Sequence, residues 1–213
     1  MTNATNYGLH DRKETILMIA EEVFAQYSFA GASIRLIGER SGVNSAMISY
    51  YFGSKEALYL DIFKLRLDEI AEEINQFERL DLDPAEKLKA YIAAYIKRVS
   101  SNQSFHRLLC NELIAEQHPL IIARLTEVRN RVYNFLLKII GSGVSKGYFK
   151  KIDEEVFVLN ILALVRSVFT DYLTLRIHLN KTPQDDFARR IVDYVMSMLT
   201  LEDHHQFERK NHV

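Results

Sequence analysis

Tryptophan is absent, and the 213-residue chain holds one cysteine, three prolines and eight glycines. One cysteine, Cys110, excludes a disulfide within the chain and fits a reducing compartment. The few prolines and glycines fall between helical patterns, and no internal repeat or low-complexity linker is visible. No apolar run reaches the ~18 residues of a membrane span. The longest, 156–169, is interrupted by Asn160 and Arg166. The first residues lack the apolar stretch of a secretory signal, so the expected location is the cytoplasm, with no membrane partner. Neither charge dominates: 27 Lys and Arg stand against 28 Asp and Glu. A reading as a nucleic-acid binder must therefore rest on local residues. With 48 % hydrophobic and 26 % charged residues, the chain has the composition of a folded domain.

What is present is helical periodicity, and no convincing period-2 strand. Ile16, Ala20, Val23, Phe24 and Tyr27 form one apolar face of a first helix over 11–27. Ser33 is placed to cap a short helix over 34–40. Gly42 allows a tight turn, and Asn44 caps a second short helix to Tyr51. Ser54 caps a long helix over 55–78, and Asp83-Pro84 opens another with a cap and a proline at its first position. Helices over 104–116 and 120–144 follow. Asp153 starts a helix whose segment 156–179 is apolar on nearly every side, and Thr182-Pro183 starts the last one. A helix apolar all round needs cover on every face. A second copy of the chain supplies it, most simply as a two-fold dimer. The expected fold is all-α.

The informative stretch is 33–55, SIRLIGERSGVNSAMISYYFGSK. It reads as helix, glycine turn, short helix. Ile34, Ile37, Val43 and Ile48 can close a small core, and Gly38 and Ala46 permit close backbone approach. A short second helix with a polar start suits the major groove of DNA. Asn44, Ser45 and Ser49 can hydrogen-bond base edges, and Ala46 and Met47 can touch a thymine methyl. Tyr50, Tyr51 and Lys55 suit phosphates. The segment holds Arg35, Arg40 and Lys55 against Glu39, a surplus of only two. On pattern alone, a plain helical hairpin competes evenly with DNA binding.

Residues 10–70 resemble the DNA-binding domain of the tetracycline-repressor (TetR) family of bacterial transcription regulators. That family shows F-A-x-x-G/S-[FY], then T/S-[SI]-x-x-I-[AG]-x-x-[AS]-G-V, then [YH]-[YH]-F and x-S/N-K-E-x-L. Phe24, Ala25, Ser33, Ile37, Gly42, Val43, Tyr50, Tyr51, Phe52, Ser54, Lys55, Glu56 and Leu58 match in register. Leu36, Gly38, Ser45 and Ser49 depart from the commoner family residues, which bears on the operator read.

The resemblance implies a DNA-binding domain over 10–70, with Ser33, Arg35, Asn44, Ser45, Ala46, Met47, Ser49, Tyr50, Tyr51 and Lys55 as the DNA-contacting set. It implies a ligand-binding and dimerisation domain over 71–201, followed by a tail over 202–213. Its partners would be a double-stranded DNA operator, a small-molecule effector and a second copy. The function implied is a homodimeric repressor released from a pseudo-palindrome by its effector.

Tyr91, Tyr95, Phe105, His106, Cys110, Tyr133, Phe169 and Tyr172 are candidates for an effector pocket, though each taken singly reads as core. Leu162, Val165, Phe169, Ile191, Tyr194, Val195 and Met198 are candidates for the dimer interface. His204, His205 and His212 crowd the tail, a pattern that fits a solvated end better than a metal site. No cofactor is expected. The chain lacks GxSxG, Walker, GxGxxG and HExxH motifs, so an enzyme is not the expectation. The alternative is a helical dimeric adaptor that does not bind DNA.

Overall fold

The computed structural model describes residues 3–170 and 184–200, with side chains over 12–166, at Asp186 and over 188–200. Among the described residues all regular structure is helical: α1 (Asn3–Gly31), α2 (Ile34–Ser41), α3 (Ser45–Phe52), α4 (Lys55–Arg79), α5 (Pro84–Ser101), α6 (Gln103–Ala115), α7 (Pro119–Ser145), α8 (Glu154–Thr170) and α9 (Gln184–Leu199). No described helix is long and apolar enough to cross a membrane. The histidine-rich tail lies outside the described residues.

The expected caps form. Asn44 Oδ1 accepts from Met47 N at 2.8 Å, and Ser54 Oγ accepts from Ala57 N at 3.0 Å. Asp83 Oδ1 accepts from Ala85 N and Glu86 N at 2.8 and 2.9 Å, and Asp153 Oδ1 from Val156 N at 3.0 Å. Each satisfies backbone donors that a helix start leaves orphaned.

Both boundaries differ from the expected 11–27 helix, since α1 begins at Asn3. α1 extends to Gly31 with a break at Ser28, at φ 62° and ψ 171°. This is a conformation suited to glycine, at the position where the family pattern allows glycine or serine. The break redirects the chain so that Phe29 turns back onto Phe24 and Tyr59, with ring centroids at 5.9 and 5.0 Å.

The chain divides into two compact units. Unit 1 combines residues 1–73 with 101–130, and unit 2 combines 74–100 with 131–213. The reason for the interleaving lies in α6, which packs on α1. In unit 1, Ile16, Val23, Phe24, Ile37, Ile48, Leu58, Phe63 and Leu67 are almost fully buried, joined by Phe105 and Leu108 of α6. Burial of each such side chain contributes roughly 1.5–3 kcal/mol. In unit 2, Phe77 meets Tyr91 edge-on at 5.3 Å, and Tyr91 meets Phe135 at 4.9 Å. Lys150 N donates to Leu199 O at 2.9 Å and anchors the end of α9.

A candidate DNA-reading surface and its support

α2 and α3 meet at close quarters. Gly42 takes a left-handed φ of 68° as the cap of α2, which lets Val43 N donate back to Gly38 O at 3.0 Å. A Cβ on Gly38 would stand 2.5 Å from Val43 O. Gly38 is thus the residue that lets the turn fold tightly onto α2, and its departure from the family's commoner alanine has a steric reason in this chain.

The sequence of α3 divides it into two faces. Ile48 and Phe52 are buried in the unit 1 core, four residues apart as a helix requires. Ser45, Ala46, Ser49 and Tyr50 are exposed, as is the capping Asn44, and Tyr50 is 83 % exposed. Met47 and Tyr51 are half-buried at the edges. Asn44 spends its carbonyl on the cap, so its amide N–H groups are what it can offer a base. Ser33 likewise caps α2, its Oγ accepting from Leu36 N at 3.1 Å, and keeps its hydroxyl hydrogen for another acceptor.

The cations are placed unevenly. Arg35 is exposed and pairs with Glu39, Nε to Oε1 at 2.9 Å. Arg40 donates to Gln26 Oε1 and Tyr27 Oη, both at 2.9 Å. Lys55 points inward: its Nζ donates to Ala32 O at 3.0 Å and lies 4.5 Å from the centre of the Phe29 ring. Its ammonium thus braces the α1–α2 junction. Lys13, absent from the sequence-based set, is exposed, and its Nζ lies 5.8 Å from the Tyr51 ring and 5.9 Å from the Phe52 ring. Nothing in the sequence around Lys13 signals this, because the proximity comes from packing of α1 beside α3.

Below this surface lies a buried polar group that sequence reading also missed. Glu112 of α6 is 3 % exposed and His118, at the α6–α7 corner, 7 %. Glu112 Oε1 accepts from His118 N at 2.8 Å, and Glu112 Oε2 lies 2.9 Å from His118 Nδ1. Tyr59 Oη donates to the same oxygen at 3.4 Å. Burial first, then the charge and hydrogen bond of Glu112, push the Tyr59 phenol pKa well above its ordinary value. The His118 ring also packs against Phe29 and Tyr59, at 4.9 and 5.0 Å. A second tie joins α1 to α4, with Arg66 Nε donating to Glu21 Oε2 at 2.8 Å. Three residues whose spacing in sequence carries no common signal therefore hold the α6–α7 corner to α1 and α4.

The expected effector residues separate. Phe105, His106 and Cys110 belong to unit 1, and Tyr91, Tyr95 and Tyr133 to unit 2. Tyr172 and the side chain of Phe169 lie outside the described residues. In unit 1, Phe105 is buried against Phe63 at 5.5 Å, His106 is buried beside Phe105, and Cys110 is half-buried. In unit 2, Tyr91 is fully buried, and its hydroxyl meets no hydrogen-bond partner among the described residues. Burial, then the neighbouring Tyr95, raise its pKa. Arg98 lies over the half-buried Tyr95 ring at 5.1 Å. Tyr133 is half-buried, and its pKa is raised by partial burial and by Glu155 and Asp153.

The expected interface residues also divide. Val165, Ile191 and Val195 are buried within this one chain, and Leu162 and Met198 are half-buried. Tyr194 is 57 % exposed. α8 is not apolar-covered all round within the chain: Val156 and Leu159 are more than half exposed, and Ala163 continues their stripe.

Residues 16–62 match the family model of bacterial regulatory proteins of the tetR family, and residues 81–172 match that of the tetracyclin repressor-like C-terminal domain. The HTH-type transcriptional regulator RutR of Escherichia coli K12 is 30 % identical over 162 residues, 76 % of each chain. The HTH-type transcriptional repressor NicS of Pseudomonas putida is 32 % identical over 143 residues, 65 % of this chain and 66 % of its own. A tetR-family regulatory protein from Rhodococcus RHA1 has the same fold, with a TM-score of 0.74 at 21 % identity over 90 % of this chain and 98 % of that one.

Proposed function

The chain belongs to the TetR family of DNA-binding transcriptional regulators, and from that premise we propose that it is a homodimeric repressor whose α3 reads a pseudo-palindromic operator until a small effector binds. The observation that carries this reading is the division of α3, a capped helix with Ile48 and Phe52 locked in the core and Asn44, Ser45, Ala46, Ser49 and Tyr50 turned outward. Such a face fits base edges and thymine methyls in a major groove. Two subunits would set half-sites about one helical turn, or a multiple, apart. Ser33, Arg35, Tyr50 and Tyr51 are assigned to positioning on phosphate. Lys13 joins them, since its ammonium stands beside Tyr51 with no ion pair among the described residues. Lys55 acts on DNA chiefly by holding the α1–α2 junction.

Unit 2 supports the effector half of the proposal through Tyr91. A fully buried phenol without a partner costs roughly 1–3 kcal/mol, and a ligand acceptor would recover it. Tyr95 and Tyr133 are the further unit 2 residues assigned to that site. For pairing, the exposed Val156, Leu159 and Tyr194 of α8 and α9 replace the buried Val165 as the surface to test, with Leu162 and Met198 at its margin. The effector must bind the DNA-incompetent state more tightly, or it shifts nothing.

The test is fluorescence anisotropy on labelled DNA from upstream of the chain's own gene, across a salt series, against a scrambled duplex. Specific binding by two subunits is expected. Ser49→Ala should erode the preference over scrambled DNA, Tyr50→Ala should weaken both duplexes alike, and Lys13→Ala should weaken both and lower the salt slope by about one unit. Sedimentation of Leu159→Glu should show a folded monomer. Absence of DNA binding at low salt would overturn the regulator reading in favour of the adaptor, and an undiminished dimer in Leu159→Glu would reject the α8 surface.

A further inference from the structure

Unit 2 contains a pocket that the regulator reading does not use. It has a volume of about 160 Å³ and lies among the end of α4, the start of α5 and the last third of α7. Its floor is apolar, made by the buried Phe135 and Ile139 of α7 and by Pro84 at the first position of α5. Lys87, Lys138 and Lys146 stand around it, and the single carboxylate in the lining is Glu78. None of these lysines has an ion pair or side-chain hydrogen bond among the described residues.

Lys87 is half-buried, while Lys138 and Lys146 are exposed and partly screened by water. A concave wall lined by one sign of charge still focuses its potential and attracts an anion. The negative end of α7 accounts for Lys146, at the helix's C-terminal edge. It does not account for Lys87. That residue is the fourth of α5, near the positive end of its helix, where the dipole disfavours a cation, and it is half-buried.

We infer that this pocket is a binding site for a small organic carboxylate with a body about the size of a benzene ring. An apolar cavity of ~150 Å³ holds benzene, so the floor fits one ring. The carboxylate would lie among the three ammonium groups, and the ring would cover Phe135 and Ile139. A bare inorganic anion would leave that apolar floor in water. The site is separate from Tyr91, which does not line it, and the inference holds whether or not the ligand releases DNA.

The test is calorimetric titration of the full chain with sodium benzoate at fixed ionic strength, with benzamide and inorganic phosphate as comparison probes. Saturable binding of one benzoate per subunit is expected, with benzamide and phosphate each weaker by about tenfold or more. Lys87→Ala with Lys138→Ala should lose at least about tenfold in affinity while circular dichroism stays unchanged. Lys138→Gln alone should lose part of it, and Lys64→Ala in unit 1 should lose none. The inference is overturned by the absence of saturable benzoate binding. Equal affinity for benzamide, equal affinity for phosphate, or full affinity in the double variant would each overturn it as well.

Discussion

Two buried phenols, Tyr59 of unit 1 and Tyr91 of unit 2, sit in opposite polar surroundings. In unit 1, Glu21 is tied to Arg66, and Glu112 is tied to His118 and Tyr59. Each is buried, and each is matched by donors on another element or at the α6–α7 corner. In unit 2, Tyr91 carries a hydroxyl with no partner among the described residues into an otherwise apolar cluster of Phe77 and Phe135. A matched polar group in a low-dielectric interior fixes one arrangement of its neighbours, whereas an unmatched one raises the energy of the arrangement it sits in. The ties of Glu21 and Glu112 hold one arrangement of α1, α4 and the α6–α7 corner, and the effector site proposed above would gain from an acceptor at Tyr91.

The largest expected effect breaks the support. Glu112→Ala removes the acceptor of His118 N and Nδ1 and of Tyr59 Oη and leaves those donors buried. It should cost about 3 kcal/mol in urea unfolding, and DNA binding should weaken with it. A loss under ~1 kcal/mol would show that the corner relaxes to water and does not brace α1 and α4.

The sharpest version of the comparison uses one substitution in both units. Tyr59→Phe deletes a donor to Glu112 and should destabilise by about 1 kcal/mol. Tyr91→Phe deletes a hydroxyl that has no described partner and should stabilise by about 1 kcal/mol. Equal signs in thermal unfolding would end the contrast. Both phenols also have raised pKa values in the fold. The stabilisation from keeping each phenol neutral is complete below the ordinary value of 10.0 and is lost as the pH rises above it, towards the folded value. Alkaline unfolding should therefore move to higher pH in Tyr91→Phe, and stability should fall less steeply with rising pH.

The smallest effect concerns the break in α1. Ser28→Gly relieves a left-handed φ but adds freedom to the unfolded chain, for a net gain of roughly 0.5–1 kcal/mol. A loss in melting temperature would mean that the Ser28 hydroxyl, which accepts from Gly31 N at 3.5 Å, outweighs the backbone strain.

Much of the fold was legible because its signals are local. A side-chain hydroxyl, carboxamide or carboxylate oxygen at the residue before a helix can accept from a free N–H of its first turn, so Ser33, Asn44, Ser54, Asp83 and Asp153 could be placed from sequence. The periodicity of Ile48 and Phe52 likewise set which face of α3 turns inward. The break at Ser28 was not legible, because serine does not announce a left-handed conformation as glycine does. In the sequence Lys55 suits phosphate, and only the fold puts Ala32 O and the Phe29 ring within its reach.

The sequence by itself determined the helices, their caps and the membership of the family, because each rests on residues a few positions apart or on a dense motif in register. Only the tertiary structure decided which distant residues share an environment. It grouped 101–130 with 1–73 and joined Glu112 and His118 to Tyr59. It turned Val165, Ile191 and Val195 into the chain's own core and gathered Lys87, Lys138 and Lys146 around one pocket. Those pairings depend on how helices pack across tens of residues, and one sequence carries no periodicity at that range.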